Sequence, residues 1–381
     1  MYYKILQMKK WKIALILSSA LFFLLAVILI IIFSIQSNTP SSSPSPSPSP
    51  SPSPSPSPSP SPSPSPSPPP SPSPSPSPPP SPSQNVLYVY WLYPVESEPD
   101  VEDFNADDIK RRLTTAIDSG YDIINLSFYQ YGEPDYKGSF GKFLWLGEED
   151  QKEIVDYAHQ KNVKLLVSAG GANGSSSFRG QTYQTIGDEL LGYVMQYNLD
   201  GIDIDVEDTT LFPMIADLTN YLGKKWNGTK IITHAPQSAN FQDNKGGSAD
   251  YFTVYKTCGD YIDYLNVQFY NQGCDHDSYE KIFVPYEYDC WNIAWISTGK
   301  DETGIQPYGS VIPLSKIIVG KPIEQGIYGG NNGYIEPKTL GEFFVKAYSE
   351  IKWRTGLMIW AYIPGKTTAK DYLQDVQKCC L

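Results

Sequence analysis

Residues 41–83 are almost entirely serine and proline, mostly in alternation, and this tract decides where a chain of 381 residues can fold. Proline fixes φ and removes a backbone donor, so the tract can enter neither helix nor sheet. It has no apolar side chain to bury. Extended as polyproline II at about 3.1 Å per residue, its 43 residues reach roughly 130 Å. Serine and proline at this density also invite O-glycosylation. Residues 34–84 therefore form a disordered linker or stalk, and folding falls to residues 85–381. That length suits one domain.

Upstream lie a basic tail, residues 1–12, and an uncharged apolar run, residues 13–33. At 1.5 Å per residue the 21-residue run spans a hydrocarbon layer of about 30 Å. A cleaved signal peptide would have an apolar region of about 7–15 residues and then a small-residue cleavage site. Ser34-Ile35-Gln36-Ser37 offers no such site. Lys4, Lys9, Lys10 and Lys12 precede the run, and no Lys or Arg follows until Lys110. The positive-inside rule then predicts a single-pass type II signal-anchor, with the folded domain extracellular or luminal.

The formal net charge of −12 gives no basic footprint, which excludes a nucleic-acid partner. Cys258, Cys274, Cys290, Cys379 and Cys380 contain no C-x-x-C pair, and histidine is scarce, so neither a structural zinc site nor another metal or cofactor is expected. One or two disulfides with a thiol left over are expected outside the cytosol, with connectivity open.

From residue 85 onward, β-branched and aromatic runs alternate with helical spacing. The strand-like runs are 86–91, 122–128, 163–168, 201–207, 230–235, 263–270, 316–320 and 356–362. Helical periodicity marks 106–119, 148–160, 181–197, 211–226, 338–353 and 367–377, whereas 271–315 is poorly periodic. Eight strands, each followed by a helix or an irregular substitute, predict an α/β fold, the (β/α)8 TIM barrel. In that fold the reactive groups sit at the C-terminal ends of the strands.

The fourth run is Gly201-Ile202-Asp203-Ile204-Asp205-Val206-Glu207. With a period of two, the three acids share one face and Ile202, Ile204 and Val206 the other. The apolar face suits the outer helices, which turns the acids into the barrel. Aligned carboxylates in a core are costly unless they share protons or meet polar partners, so the pattern points to a functional site. A calcium loop would need glycine after its first acids and a non-strand backbone. A glycosyltransferase metal motif, Asp203-x-Asp205, fits the anchor and stalk but calls for a doubly wound domain. Glu207, nearest the mouth, would stay protonated as general acid, while Asp203 and Asp205 would share a proton.

Asp200-Gly201-Ile202-Asp203-Ile204-Asp205-Val206-Glu207 resembles the DGxDxDxE signature of family 18 glycoside hydrolases. Ser168-Ala169-Gly170-Gly171 is similar to that family's SxGG motif. Tyr90-Trp91, Phe128, Ala235-Pro236-Gln237, Gln268-Phe269-Tyr270-Asn271 and Gly356-Leu357-Met358-Ile359-Trp360 resemble class III chitinases of plants and fungi. The resemblance covers about residues 86–363, although the cysteines and the segment 274–310 depart from it.

The resemblance implies hydrolysis of chitin or a related N-acetylglucosamine polymer by a monomer, without cofactor. The substrate's own N-acetyl oxygen attacks the anomeric carbon, with retention; such enzymes are exceptions to the two-carboxylate scheme. By the same resemblance Glu207 is the acid, Asp205 holds the acetamido N–H with Asp203 behind it, and Tyr270 donates to the acetamido carbonyl. Trp360 forms the floor under the sugar. Gln268, Asn271, Tyr90, Phe128 and Gln237 belong with the substrate, and Ser168, Gly170, Gly171 and Asp200 shape the site. An endo-β-N-acetylglucosaminidase acting on N-glycans, or a non-catalytic lectin, would share this frame. The glycosylation sequons are Asn173-Gly174-Ser175 and Asn227-Gly228-Thr229 in loops, and Asn125-Leu126-Ser127 within a strand that buries it.

Overall fold

The computed structural model describes residues 84–89, 105–132, 138–241, 250–284, 290–299, 312–326, 333–362 and 368–379. The basic tail, the apolar run 13–33, the Ser-Pro tract to residue 83 and Tyr90 lie outside them. Among the described residues no helix is long and apolar enough to cross a membrane.

The chain alternates strand and helix in the order β1 (Gln84–Val89), α1 (Ala106–Ile117), β2 (Ile123–Tyr129), α2 (Ser139–Trp145), α3 (Glu148–Gln160), β3 (Lys164–Gly170). It continues with α4 (Tyr183–Gln196), β4 (Gly201–Asp205), α5 (Phe212–Trp226), β5 (Ile231–His234), α6 (Tyr251–Cys258) and β6 (Tyr264–Gln268). Then follow α7 (Tyr279–Phe283), α8 (Ile293–Thr298), β7 (Ile317–Pro322), α9 (Pro337–Ile351), β8 (Gly356–Tyr362) and α10 (Ala369–Lys378). The strands close as β1 to β8 in order, and β1 pairs in parallel with both β2 and β8.

Closure has a sequence cause. In β4, Ile202 and Ile204 join an outer core with α-helix residues such as Ile186, Leu190, Ile215 and Leu222. Val86, Tyr88, Ile123, Leu166, Ile318 and Met358 form a second, smaller cluster with Phe128, Tyr270 and Ala361. These residues alternate with the outer set along their strands, so they line the lumen. One alternation thus builds two cores, one on each face of the sheet.

The strand edges differ from the sequence expectation. β1 includes Gln84 and Asn85, two residues before the expected run, and Gln84 falls within the expected linker; residues 90 and 91 of that run lie outside the described residues. β4 stops at Asp205, and Glu207 lies two residues beyond it. β6 stops at Gln268, leaving Phe269 and Tyr270 past its end. Side-chain pattern continues beyond the last ladder hydrogen bond, and that is why these runs read long. The irregular stretch between β6 and β7 holds two short helices, α7 and α8. Two further helices, α2 and α6, carry no long periodic signal in the sequence.

Candidate active site

The acids on β4 occupy two environments. Asp203 is fully buried, and four neutral groups donate to it. Tyr88 Oη and Ser168 Oγ each lie 2.7 Å from Oδ2; Thr233 Oγ1 lies 2.6 Å and Asn266 Nδ2 3.1 Å from Oδ1. These donors come from β1, β3, β5 and β6, so the carboxylate ties four strands across the lumen. Burial pushes its pKa up, and the four donors oppose the shift.

Asp205 and Glu207 are less well served. Gln268 Nε2 donates to Asp205 at 3.0 Å, and Gln237 Nε2 donates to Glu207 at 2.7 Å. Burial raises the Asp205 pKa well above the ordinary carboxylate range; the charges of Glu207 and then Asp203 add to this. Burial also raises Glu207, with the amides of Gln268 and Gln237 opposing it. Asp203 and Asp205, expected to share a proton, are both buried on this face. Both neighbouring carboxylates raise Asp205, the charge of Glu207 more than that of Asp203.

The Gly170-Gly171 step brings β3 against this pair. A Cβ on Gly170, at φ +117°, would lie 2.4 Å from the Asp205 carbonyl oxygen. The Gly171 N–H donates to that same oxygen at 2.7 Å, and a Cβ on Gly171 would meet the Phe128 ring. The Glu207 N–H donates to Ser175 Oγ at 3.0 Å, which fixes the backbone of the acid outside the strand.

Above the acids opens a cleft with a cavity volume of about 390 Å³. Its lining includes Asp205, Glu207, Gln237, Gln268, Tyr270 and Trp360. Phe128, Gly170, Gly171 and Asn271 border it as well, together with Gln130, Asn173 and Gln272. Trp360 is half-buried and stacks on Phe128 at 5.8 Å and 24°, with the Tyr88 ring edge-on at 6.0 Å. The Tyr270 phenol is buried, and its pKa is raised by burial and by the charges of Asp205, Glu207 and Asp203, so it stands as a neutral donor.

Asp200 lies elsewhere. It is at the opposite end of β4, where it accepts from the Leu165 N–H and Lys164 Nζ and pairs with His159 Nε2 at 3.0 Å. It secures the entry of β3 and β4 rather than bordering the cleft. Sequence reasoning passed over Tyr88, Thr233, Asn266 and Ser175. Tyr88 carries a legible signal, since it stands two positions from Tyr90 in the sequence, the spacing of one strand face.

Cys274 and Cys290 form a disulfide, with Cα atoms 5.4 Å apart; Cys258 and Cys379 are free. With His276 these two cysteines bring three ligand atoms within 4.8 Å of one another. The two sulfurs are bonded to each other, so the trio offers a metal only imidazole in this state.

Residues 90–323 match the family model of glycosyl hydrolases family 18, and the chain belongs to that family of glycoside hydrolases. It is 28% identical over 255 residues to Chitinase D of Niallia circulans, covering 59% of this chain and 47% of that one. It is 27% identical over 281 residues to Endochitinase 37 of Trichoderma harzianum, covering 64% of this chain and 75% of that one. The chain thus spans about half the length of one relative and three quarters of the other. The solved structure of a GH18 chitinase from Pseudoalteromonas aurantia superposes with a TM-score of 0.55 at 23% identity. The superposition covers 78% of this chain and all of that one, and it reflects a shared fold.

Proposed function

We propose that this protein is a chitinase that hydrolyses β-1,4-linked N-acetylglucosamine polymers with retention, using Glu207 as general acid and then base. The observation that carries the reading is the Asp205–Glu207 pair beneath an aromatic-floored cleft, with Tyr270 beside it. Burial raises the proton affinity of Glu207, which protonates the leaving glycosidic oxygen. The substrate's acetamido oxygen attacks the anomeric carbon as that bond breaks. Asp205 accepts the acetamido N–H, and the Tyr270 hydroxyl donates to the acetamido carbonyl. Together they align the internal nucleophile and stabilise the charge it acquires. Water, deprotonated by Glu207, then attacks the anomeric carbon from the face the leaving group vacated, breaking its bond to the acetamido oxygen. Trp360, backed by Phe128, supports the apolar face of the sugar. Gln237 and Gln268 hold the two carboxylates, and Asn271 lines the rim.

The apolar run 13–33 and its upstream lysines support a type II anchor, with the Ser-Pro tract as stalk and the catalytic domain outside or in the lumen. Each chain carries a complete set of these groups and is proposed to act as a monomer.

The test is hydrolysis of chitin oligomers by the full chain in detergent micelles, beside a high-mannose glycoprotein, in the presence of a chelator. Chitin oligomer cleavage with the β-anomer as first product is expected. Cleavage of the glycoprotein alone would move the substrate to N-glycans; tight chitin binding with no cleavage of either would make the protein a lectin. Carbonate extraction of membranes tests the anchor, and a chain released into the supernatant would overturn it.

A further inference from the structure

Lys321 is fully buried, yet the acid chemistry leaves it unused. It lies on β7, two residues from Val319 and four from Ile317, both of which pack in the outer core, so its side chain leaves the sheet on that face. No carboxylate forms an ion pair with it among the described residues. Instead, Nζ donates to three backbone carbonyls: Phe269 at 2.8 Å, His276 at 2.6 Å and Gly333 at 3.0 Å. An ammonium has three N–H groups and no acceptor, so this cage satisfies it completely. Burial pushes the pKa well down, opposed by the charge of Asp277, while the three carbonyls accept from Nζ.

The three carbonyls belong to three separate stretches around Tyr270. Phe269 is its direct neighbour, and the Phe269 carbonyl shares a rigid peptide plane with the Tyr270 N–H. A donor fixed on that oxygen therefore limits rotation of the plane that sets the Tyr270 backbone. The His276 ring packs on Phe269 at 5.3 Å, and the Cys274–Cys290 disulfide closes the loop that carries it. Gly333 lies directly against Tyr270: a Cβ there would stand 2.8 Å from the Tyr270 Cα and Cβ.

We propose that Lys321 is a positioning residue for Tyr270: by gathering the carbonyls of Phe269, His276 and Gly333, it fixes where the Tyr270 hydroxyl stands in the cleft. This rests on the reading in which Tyr270 contacts the substrate's acetamido group. Lys321 never meets the substrate. It acts on the reaction only through the segment it holds.

A double-mutant cycle on the full chain separates positioning from plain stability. Turnover of a saturating chitin oligomer is measured for wild type, Lys321→Met, Tyr270→Phe and the double variant, each normalised to its folded fraction by circular dichroism. Lys321→Met is expected to lower kcat about 10- to 100-fold, since small misplacements at a reacting centre carry losses of that order. In the Tyr270→Phe background the same change is expected to cost less than about threefold. Losses that multiply in full would overturn the proposal. Lys321→Gln keeps two donors, so it is expected to recover part of kcat and serves where Lys321→Met does not fold; a Gln variant no better than Met counts against the cage. If the wild type binds chitin oligomers without cleaving them, the hydrolytic reading fails by itself. The same cycle is then run on oligomer affinity, and additive losses there would overturn the positioning role.

Discussion

Asp203 and Asp205 stand two residues apart on one strand, face the same lumen and differ in almost everything else. Asp203 meets four neutral donors from four strands. Asp205 meets one amide and lies beside another carboxylate. Both are buried, so desolvation raises both pKa values; what differs is how much opposes it. A carboxylate with full hydrogen bonding is a fixed piece of architecture, because its charge is already answered by neighbours. A carboxylate left short of donors keeps a high proton affinity and can answer to a substrate instead. The barrel builds the first kind at its middle and the second at its mouth.

That contrast can be broken most severely at Glu207. Glu207→Gln keeps the shape of the mouth and removes its transferable proton, so kcat on chitin oligomers should fall about 10²- to 10⁴-fold with an unchanged circular dichroism spectrum. A loss under tenfold would remove Glu207 from the acid's role. The deeper layer should respond in stability. Asp203→Ala strands four buried donors, and denaturant unfolding should show a loss of about 3 kcal/mol or more.

Asp205→Asn should do the opposite. A carboxyl whose folded pKa is raised binds more protons in the folded state, so its folding contribution is intact at low pH. It is lost as pH climbs from the ordinary carboxylate range through the raised value. The Asn variant lacks that loss. Its melting temperature should match wild type near pH 3 and exceed it at neutral pH, while its activity is abolished. Curves that stay together at neutral pH would erase the distinction between the layers. The smallest effect is expected at Gln237, whose amide stabilises ionised Glu207. Gln237→Leu should raise the Glu207 pKa and carry the alkaline limb of the rate profile upward by roughly one pH unit or less.

How much of this was legible in the sequence follows from the range of each signal. The strand–helix alternation is local and strong, and it indicated the closed barrel. The three acids at a spacing of two identified their strand and its inward face without any partner being known. The neighbours of Asp203 were not legible, because Tyr88, Thr233 and Asn266 are single residues on separate strands. Only the closed register of β1, β5 and β6 brings them to one carboxylate. For the same reason Tyr88, two positions before Tyr90 in the sequence, was not singled out. Gly170 and Gly171 matched a motif in the sequence, but its physical reason is legible only where the Asp205 carbonyl and the Phe128 ring stand in place of a side chain. Lys321 stood out in no sequence pattern, since nothing one-dimensional announces three carbonyls converging from distant segments.

The Asn125-Leu126-Ser127 sequon has a consequence of a different sort. Asn125 is fully buried on β2. An oligosaccharide is attached to an emerging chain before such a strand is buried, and the packed barrel has no room for one at this position. In a glycosylating compartment, every chain modified at Asn125 would be unable to close its barrel and would be left to degradation. Asn173 and Asn227 are exposed and impose no such barrier to folding. The yield of the protein in such a host would then be set by a race between strand burial and sugar transfer at a single asparagine.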